Sequence, residues 1–153
     1  MNKKILMIFT LCVLGIGLVG CRKQILKNED VLEPSDKVSI SIKENTLTNN
    51  GATIIIKNNS DDIYVYGPEY IIQTKKDGNW IEVETITGDP LVWNSIAYIL
   101  KANEEKELNI DWSLGYGELT SGQYRLVKKV FKEEDRPIDD SEIKYISVDF
   151  KIS

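Results

Sequence analysis

The chain has 153 residues, a formal net charge of −5 and 42% aliphatic and aromatic side chains, which suits a single packed domain. It contains no histidine. That removes Ser-His-Asp and Cys-His nucleophile systems, histidine zinc sites and a histidine general base, and the acidic balance excludes a nucleic-acid backbone as partner.

The first element is an export leader. Lys3 and Lys4 precede an apolar run from Ile5 to Gly20. The run is shorter than the roughly 20 apolar residues a spanning helix needs, and a basic start with a short apolar core defines a secretory signal. A retained anchor helix is the competing reading. Leu18-Val19-Gly20-Cys21 resembles the lipobox of bacterial lipoproteins. That resemblance implies cleavage between Gly20 and Cys21, with a diacylglycerol on Cys21 Sγ. Two or more acyl chains would hold the protein at a membrane, and Arg22, Lys23 and Lys27 would add about 1 kcal/mol each against anionic headgroups. Cys12 leaves with the leader, so Cys21 is the one remaining cysteine and no internal disulfide can form. The excess of Lys (16) over Arg (3), with 21 Ile and 11 Asn, has the bias of low-GC coding and points to a Gram-positive source.

Residues 21–36 read as the lipidated cysteine and a polar tether spanning about 20 Å as a coil. From Lys37 to the end, residues 37–153, the apolar period is two. Val38, Ile40 and Ile42 share one face, and Thr53–Lys57 is a short β-branched strand. Asn58–Asp62 is a turn cluster. Tyr64–Tyr66 and Tyr70–Thr74 follow, separated by Gly67-Pro68, where an edge or a bend is expected. Asp77-Gly78 predicts a type I′ hairpin into Trp80–Glu84. Ser95–Lys101 and Lys106–Trp112 read as a pair around Ala102-Asn103-Glu104, with Leu108, Ile110 and Trp112 on one face. Gln123–Lys132 places Tyr124, Leu126 and Val130 together. Lys144–Ile152 points Ile146, Val148, Phe150 and Ile152 inward. Seven to nine short strands without a long helix predict an all-β sandwich with Greek-key connections.

Leu119-Thr-Ser-Gly122-Gln-Tyr124 sets a Tyr at the start of the penultimate strand, two residues after a Gly. It resembles the tyrosine corner of Greek-key sandwiches, whose hydroxyl bonds backbone a few residues upstream; the alternative is a plain core tyrosine.

Tyr66-Gly67-x-Glu69-Tyr70, Trp80, Val83, Asp111-Trp112, Tyr116-Gly117-x-Leu119 and Gly122-x-Tyr124-Arg125-x-x-Lys128 together resemble the bacterial immunoglobulin-like domains of exported and lipid-anchored proteins in low-GC Gram-positive bacteria. The resemblance covers about residues 37–153. It implies an immunoglobulin-like sandwich at the cell surface with no catalytic residues, and carries no intersheet disulfide.

Few side chains suggest chemistry. Glu133, Glu134, Asp135, Asp139, Asp140 and Glu142 crowd the loop before the last strand. Calcium takes six to eight oxygens, but no calcium-loop spacing appears, and a solvated acidic tip is the simpler reading. A compact sandwich leaves little room for the deep cleft that carboxylate-driven glycoside hydrolysis needs. Trp93, in the turn-rich segment 88–94, is either a contact residue or a cap on the sandwich end, and burial favours the cap. Arg125 either pairs with Glu69 or Asp111 across a sheet or meets an anionic ligand. No phosphate loop, metal pattern or cofactor motif is present in the sequence. These readings converge on a lipid-anchored protein on the outer face of the cell membrane, binding a protein or a wall polymer. The alternatives are a carbohydrate-binding or wall-hydrolysing module and an accessory of an envelope sensor.

Overall fold

A computed structural model describes residues 31–32 and 37–153. Gly20, Cys21, the leader and most of the tether lie outside the described residues. Nine strands form the domain: β2 (Val38–Ile42), β3 (Gly51–Asn58), β4 (Tyr64–Tyr66), β5 (Ile71–Lys76), β6 (Asn79–Glu82), β7 (Tyr98–Leu100), β8 (Glu105–Asp111), β9 (Gly122–Lys132) and β10 (Lys144–Ile152). A two-residue strand, β1 (Val31–Leu32), precedes them and runs parallel to β10. The outer edge of β10 offers unpaired backbone groups, and a short extended segment satisfies them. These two residues fall within the span read as tether.

The strands make two sheets, a sandwich of the immunoglobulin type. The small sheet has the order β2-β3-β8; the large one runs β1-β10-β9-β4-β7, with β5 pairing β9 and β6. β3 beside β8 and β4 beside β9 are neighbours far apart in sequence, as Greek-key crossings require. Alternation drives the layering. On β3, Ala52, Ile54, Ile56 and Asn58 are buried; on β9, Tyr124, Leu126, Lys128 and Val130 are. The expected faces of β2, β9 and β10 form as read. Trp112 is wholly buried, stacked on Phe150 at 5.3 Å, and its indole N–H donates to the Asn49 carbonyl at 2.7 Å. A buried Trp needs that acceptor.

The β5–β6 turn has φ of 51° at Asp77 and 82° at Gly78, the two positive values of a type I′ hairpin. One expectation fails. The segments around Ala102–Glu104 are not a hairpin: strand structure is confined to Tyr98–Leu100, and β7 pairs β4 while β8 pairs β3 in the other sheet. Asn103 takes φ 57°, and the Glu104 carboxylate accepts the Lys101 N–H at 2.7 Å, closing a tight arch between sheets. Pairing β8 with the apolar β3 buries Ile54 and Ile110, which a solvated hairpin would leave wet.

The turn cluster is organised by Asn58, which is fully buried. Its amide donates to the carbonyls of Asp62 (2.7 Å) and Lys101 (2.9 Å), and its oxygen accepts from Ser60 N–H and hydroxyl. A buried amide with all these partners fixes the loop instead of destabilising it.

Candidate functional site

β4 and β5 are two halves of one strand along β9. Tyr66 faces Val130 and Ile71 faces Val127, so residues 67–70 span only Lys128 and Lys129. The surplus backbone bulges at Gly67-Pro68, where a bend was expected. The bulge leaves carbonyls without ladder partners, and Lys128 supplies them. Its Nζ donates to the Gly67 and Glu69 carbonyls, both at 2.9 Å, and lies 5.7 Å from the Tyr66 ring. Lys128 is 1% exposed; burial pushes its ammonium down to about 8, with Glu69 acting in the opposite direction.

Two concavities flank this bulge. One, of about 420 Å³, lies on the outer face of the large sheet, against Val65, Ile71, Val127 and Phe131. The other, of about 530 Å³, opens between the β4–β7 end of the large sheet and the edge of β8. Trp93 lines both. It is half-buried and packs on Tyr70 with centroids 4.9 Å apart. Loop 83–97 is held in place by Val83 N–H to the Ile72 carbonyl (2.8 Å), Ile86 N–H to the Gly115 carbonyl (2.9 Å), and Leu91 lying against Gly115. One part of Trp93 thus packs on the sandwich end and the rest faces the two concavities.

The larger cleft has aromatic walls. Tyr66 and Tyr98 stack at 5.5 Å, and the Tyr70 hydroxyl donates to the Asp111 carbonyl at 2.8 Å. Burial holds the hydroxyls of Tyr66, Tyr70 and Tyr116 protonated above their ordinary range, Tyr116 up to about 12. The rim carries Val92 (97% exposed) and Leu114 (83%). The β8 side carries Glu107 and Asp111. Glu107 is paired with Lys43 at 2.7 Å. Asp111 accepts from the Ser113 hydroxyl and N–H, which hold its carboxyl below the usual range.

Arg125 meets neither expected partner. It lies on the outer face of β9, opposite Asp149 of β10, and its guanidinium donates to that carboxylate at 2.6 and 3.3 Å. Its other side lies 4.3 Å from the centre of the Trp80 ring. Direct cross-strand register brings Asp149 closest, while the Asp111 carboxylate accepts from the Ser113 N–H and hydroxyl at the start of the next turn. At the corner, the Tyr124 hydroxyl donates to the Thr120 carbonyl at 2.9 Å, and Leu119 is buried. Gly122 lies under the Tyr124 ring, where a Cβ would come within 3.2 Å of it. In the acidic loop Arg136 bridges Glu134 (2.9 Å) and Glu142. No cluster of three or more potential metal ligands occurs among the described residues.

Sequence reasoning missed the cleft and its floor. The available signal was parity: Lys128 shares the buried face of Tyr124, Leu126 and Val130. A family model of the bacterial Ig-like domain matches residues 34–145. A search of curated proteins gave no match.

Proposed function

This chain belongs to the bacterial Ig-like domain family, and from that premise we propose that it is a lipid-anchored surface protein that works by binding, without catalysis. The observation that carries the reading is the open cleft between the sheets. Its walls are Tyr66, Tyr98 and Trp93, its rim exposes Val92 and Leu114, and its backbone is braced by Lys128. Aromatic side chains on a rigid scaffold give contact area at low entropic cost. An anchor at Cys21 would keep the domain near the membrane, with a protein or wall polymer as partner. Cross-linking on intact cells tests the binding reading: a specific partner should be enriched with the wild-type chain and lost on truncation of Trp93 and Tyr98 to Ala. Recovery of nothing above background would refute it. The anchor is tested separately. Cys21→Ala should abolish palmitate incorporation and release the protein to the medium; a variant that still labels and stays membrane-bound sinks the lipid reading.

Tyr98 and Trp93 beside Asn109 and Glu107 favour one alternative, a carbohydrate-binding module. Retention on purified wall glycan, lost in the same aromatic variants, would select it.

A further inference from the structure

The edge of β8 is open, and its register says which backbone groups face outward. Trp112 N–H donates to the Asn50 carbonyl and Asn58 N–H donates to the Glu104 carbonyl, each at 2.9 Å. With Gly51 opposite Asp111 and Lys57 opposite Glu105, the even-numbered residues of β8 turn their N–H and C=O toward β3. The odd-numbered residues Glu105, Glu107, Asn109 and Asp111 turn theirs away. The Asp111 carbonyl proves the direction, since it is taken by the Tyr70 hydroxyl from across the cleft. No backbone partner for Glu107 or Asn109 occurs on that side among the described residues, and this stretch of edge lines the 530 Å³ cleft. The side chains follow the same parity: Glu105, Glu107, Asn109 and Asp111 are exposed on the outer face, while Leu108 and Ile110 turn inward.

We propose that β8 accepts an added strand from a partner protein whose extended segment alternates basic and apolar residues. The proposal rests on the binding-module reading and names the surface and the kind of partner. Strand addition at an open edge draws affinity from backbone bonds and specificity from alternate side chains. One set of those side chains would lie beside Glu105, Glu107 and Asp111, where Lys or Arg gives cross-strand pairs with Glu105 and Asp111 and would share Glu107 with Lys43. The other set would turn over the cleft, against Tyr98, Trp93, Val92 and Leu114. A second copy of this chain is the wrong occupant. Antiparallel self-pairings that use most of the edge set carboxylate against carboxylate: Glu105 against Asp111, Glu107 against itself, Glu107 against Asp111, or Glu105 against Glu107; the register that sets Asn109 against Asp111 avoids this but pairs only the last residues of the strand. Like charges directly opposite oppose pairing.

The test uses the full-length chain in detergent micelles with an acetylated, amidated Lys-Val-Lys-Val-Lys-Val-Lys peptide and its Glu-Val counterpart. Amide exchange at Glu107 and Asn109 should slow about tenfold on saturation with the basic peptide, with no change along β2. The acidic peptide should do nothing. Asn109→Pro removes one outward N–H without touching the β3 ladder and should abolish the protection, whereas Asn109→Ala should retain it. Unchanged exchange in the wild type, undiminished binding by Asn109→Pro, protection by purified wall glycan alone, or protection in a peptide-free dimer would each overturn the proposal. A cell-surface partner captured equally by Asn109→Pro would overturn this edge while leaving the binding-module reading standing. Peptide protection with no partner on cells would do the reverse.

Discussion

A lysine on the core face of a sheet destabilises the fold unless its ammonium finds acceptors. Lys128 finds two, both from the bulge at 67–70. The charge is still held in a dry place, and this gives stability a pH signature. Burial lowers the folded ammonium to about 8 from 10.5, while the unfolded chain keeps its proton to the higher value. Between those values the unfolded state binds more protons, so stability rises with pH. Above about pH 10 the buried hydroxyls of Tyr66, Tyr70 and Tyr116 reverse the trend, because the unfolded chain ionises them first. Urea unfolding should therefore show a net gain of about 1 kcal/mol from pH 8 to pH 9.5, the first ionisation of tyrosines in the unfolded chain offsetting part of the lysine contribution, and Lys128→Met should remove the rise over that interval. A wild-type profile without the rise would contradict the account. The residue was half-legible in the sequence. Its parity with Tyr124, Leu126 and Val130 was a signal for the buried face that went unused, while its acceptors are some sixty residues away and belong to a bulge that no local pattern encodes.

The crossing from β8 to β9 shows how elements are fastened where no disulfide joins the sheets. Loop 112–122 leaves the small sheet through a short helical turn, Ser113–Tyr116, and enters the large one at Gly122. Beside the bonds of the helical turn itself and the Ile86 N–H to Gly115 carbonyl bond, these fasten it: Trp112 N–H reaches the Asn50 carbonyl and its indole reaches Asn49; Leu119 N–H reaches Asn49 at 2.9 Å; the Tyr124 hydroxyl reaches Thr120. Tyr124→Phe removes only the last of these. Thr120 is exposed, so its freed carbonyl can be rehydrated. The variant should lose about 1 kcal/mol in urea unfolding with an unchanged m-value, and the ring should stay stacked on Phe150, now at 5.7 Å. A loss below experimental error would mean the hydroxyl holds nothing. Here the sequence was informative, because Gly122 and Tyr124 have a fixed local spacing. The pairing of Ser95–Lys101 with Lys106–Trp112 misled for the converse reason. A short turn between two apolar runs serves a hairpin and an intersheet arch equally well, and only the distant partners β3 and β4 decide between them.

At the scale of the molecule, strand order separates the chain's entry from its cleft. β1 lies beside β10 at one edge of the large sheet, and β7, with the cleft, lies at the other. With strands about 4.8 Å apart, four spacings put roughly 19 Å between them. A tether arriving at β1 would thus leave the β7–β8 side unobstructed. None of this was legible in the sequence, since edges are defined by which strands stay unpaired. The arrangement has force only if the domain is outside the cell, and that is testable at an exposed side chain that does not line the cleft. Ile86 is 63% exposed and lines neither of the two concavities flanking the bulge. On the lipoprotein reading the leader would take Cys12 with it, leaving Cys21 as the sole native cysteine, masked by its acyl groups. A membrane-impermeant maleimide should therefore label Ile86→Cys on intact cells, but should label Ile54→Cys, at 0% exposure, only after denaturant. Labelling of Ile86→Cys that appears only after lysis would place the domain on the inner side of the membrane and remove the surface-binding reading with it.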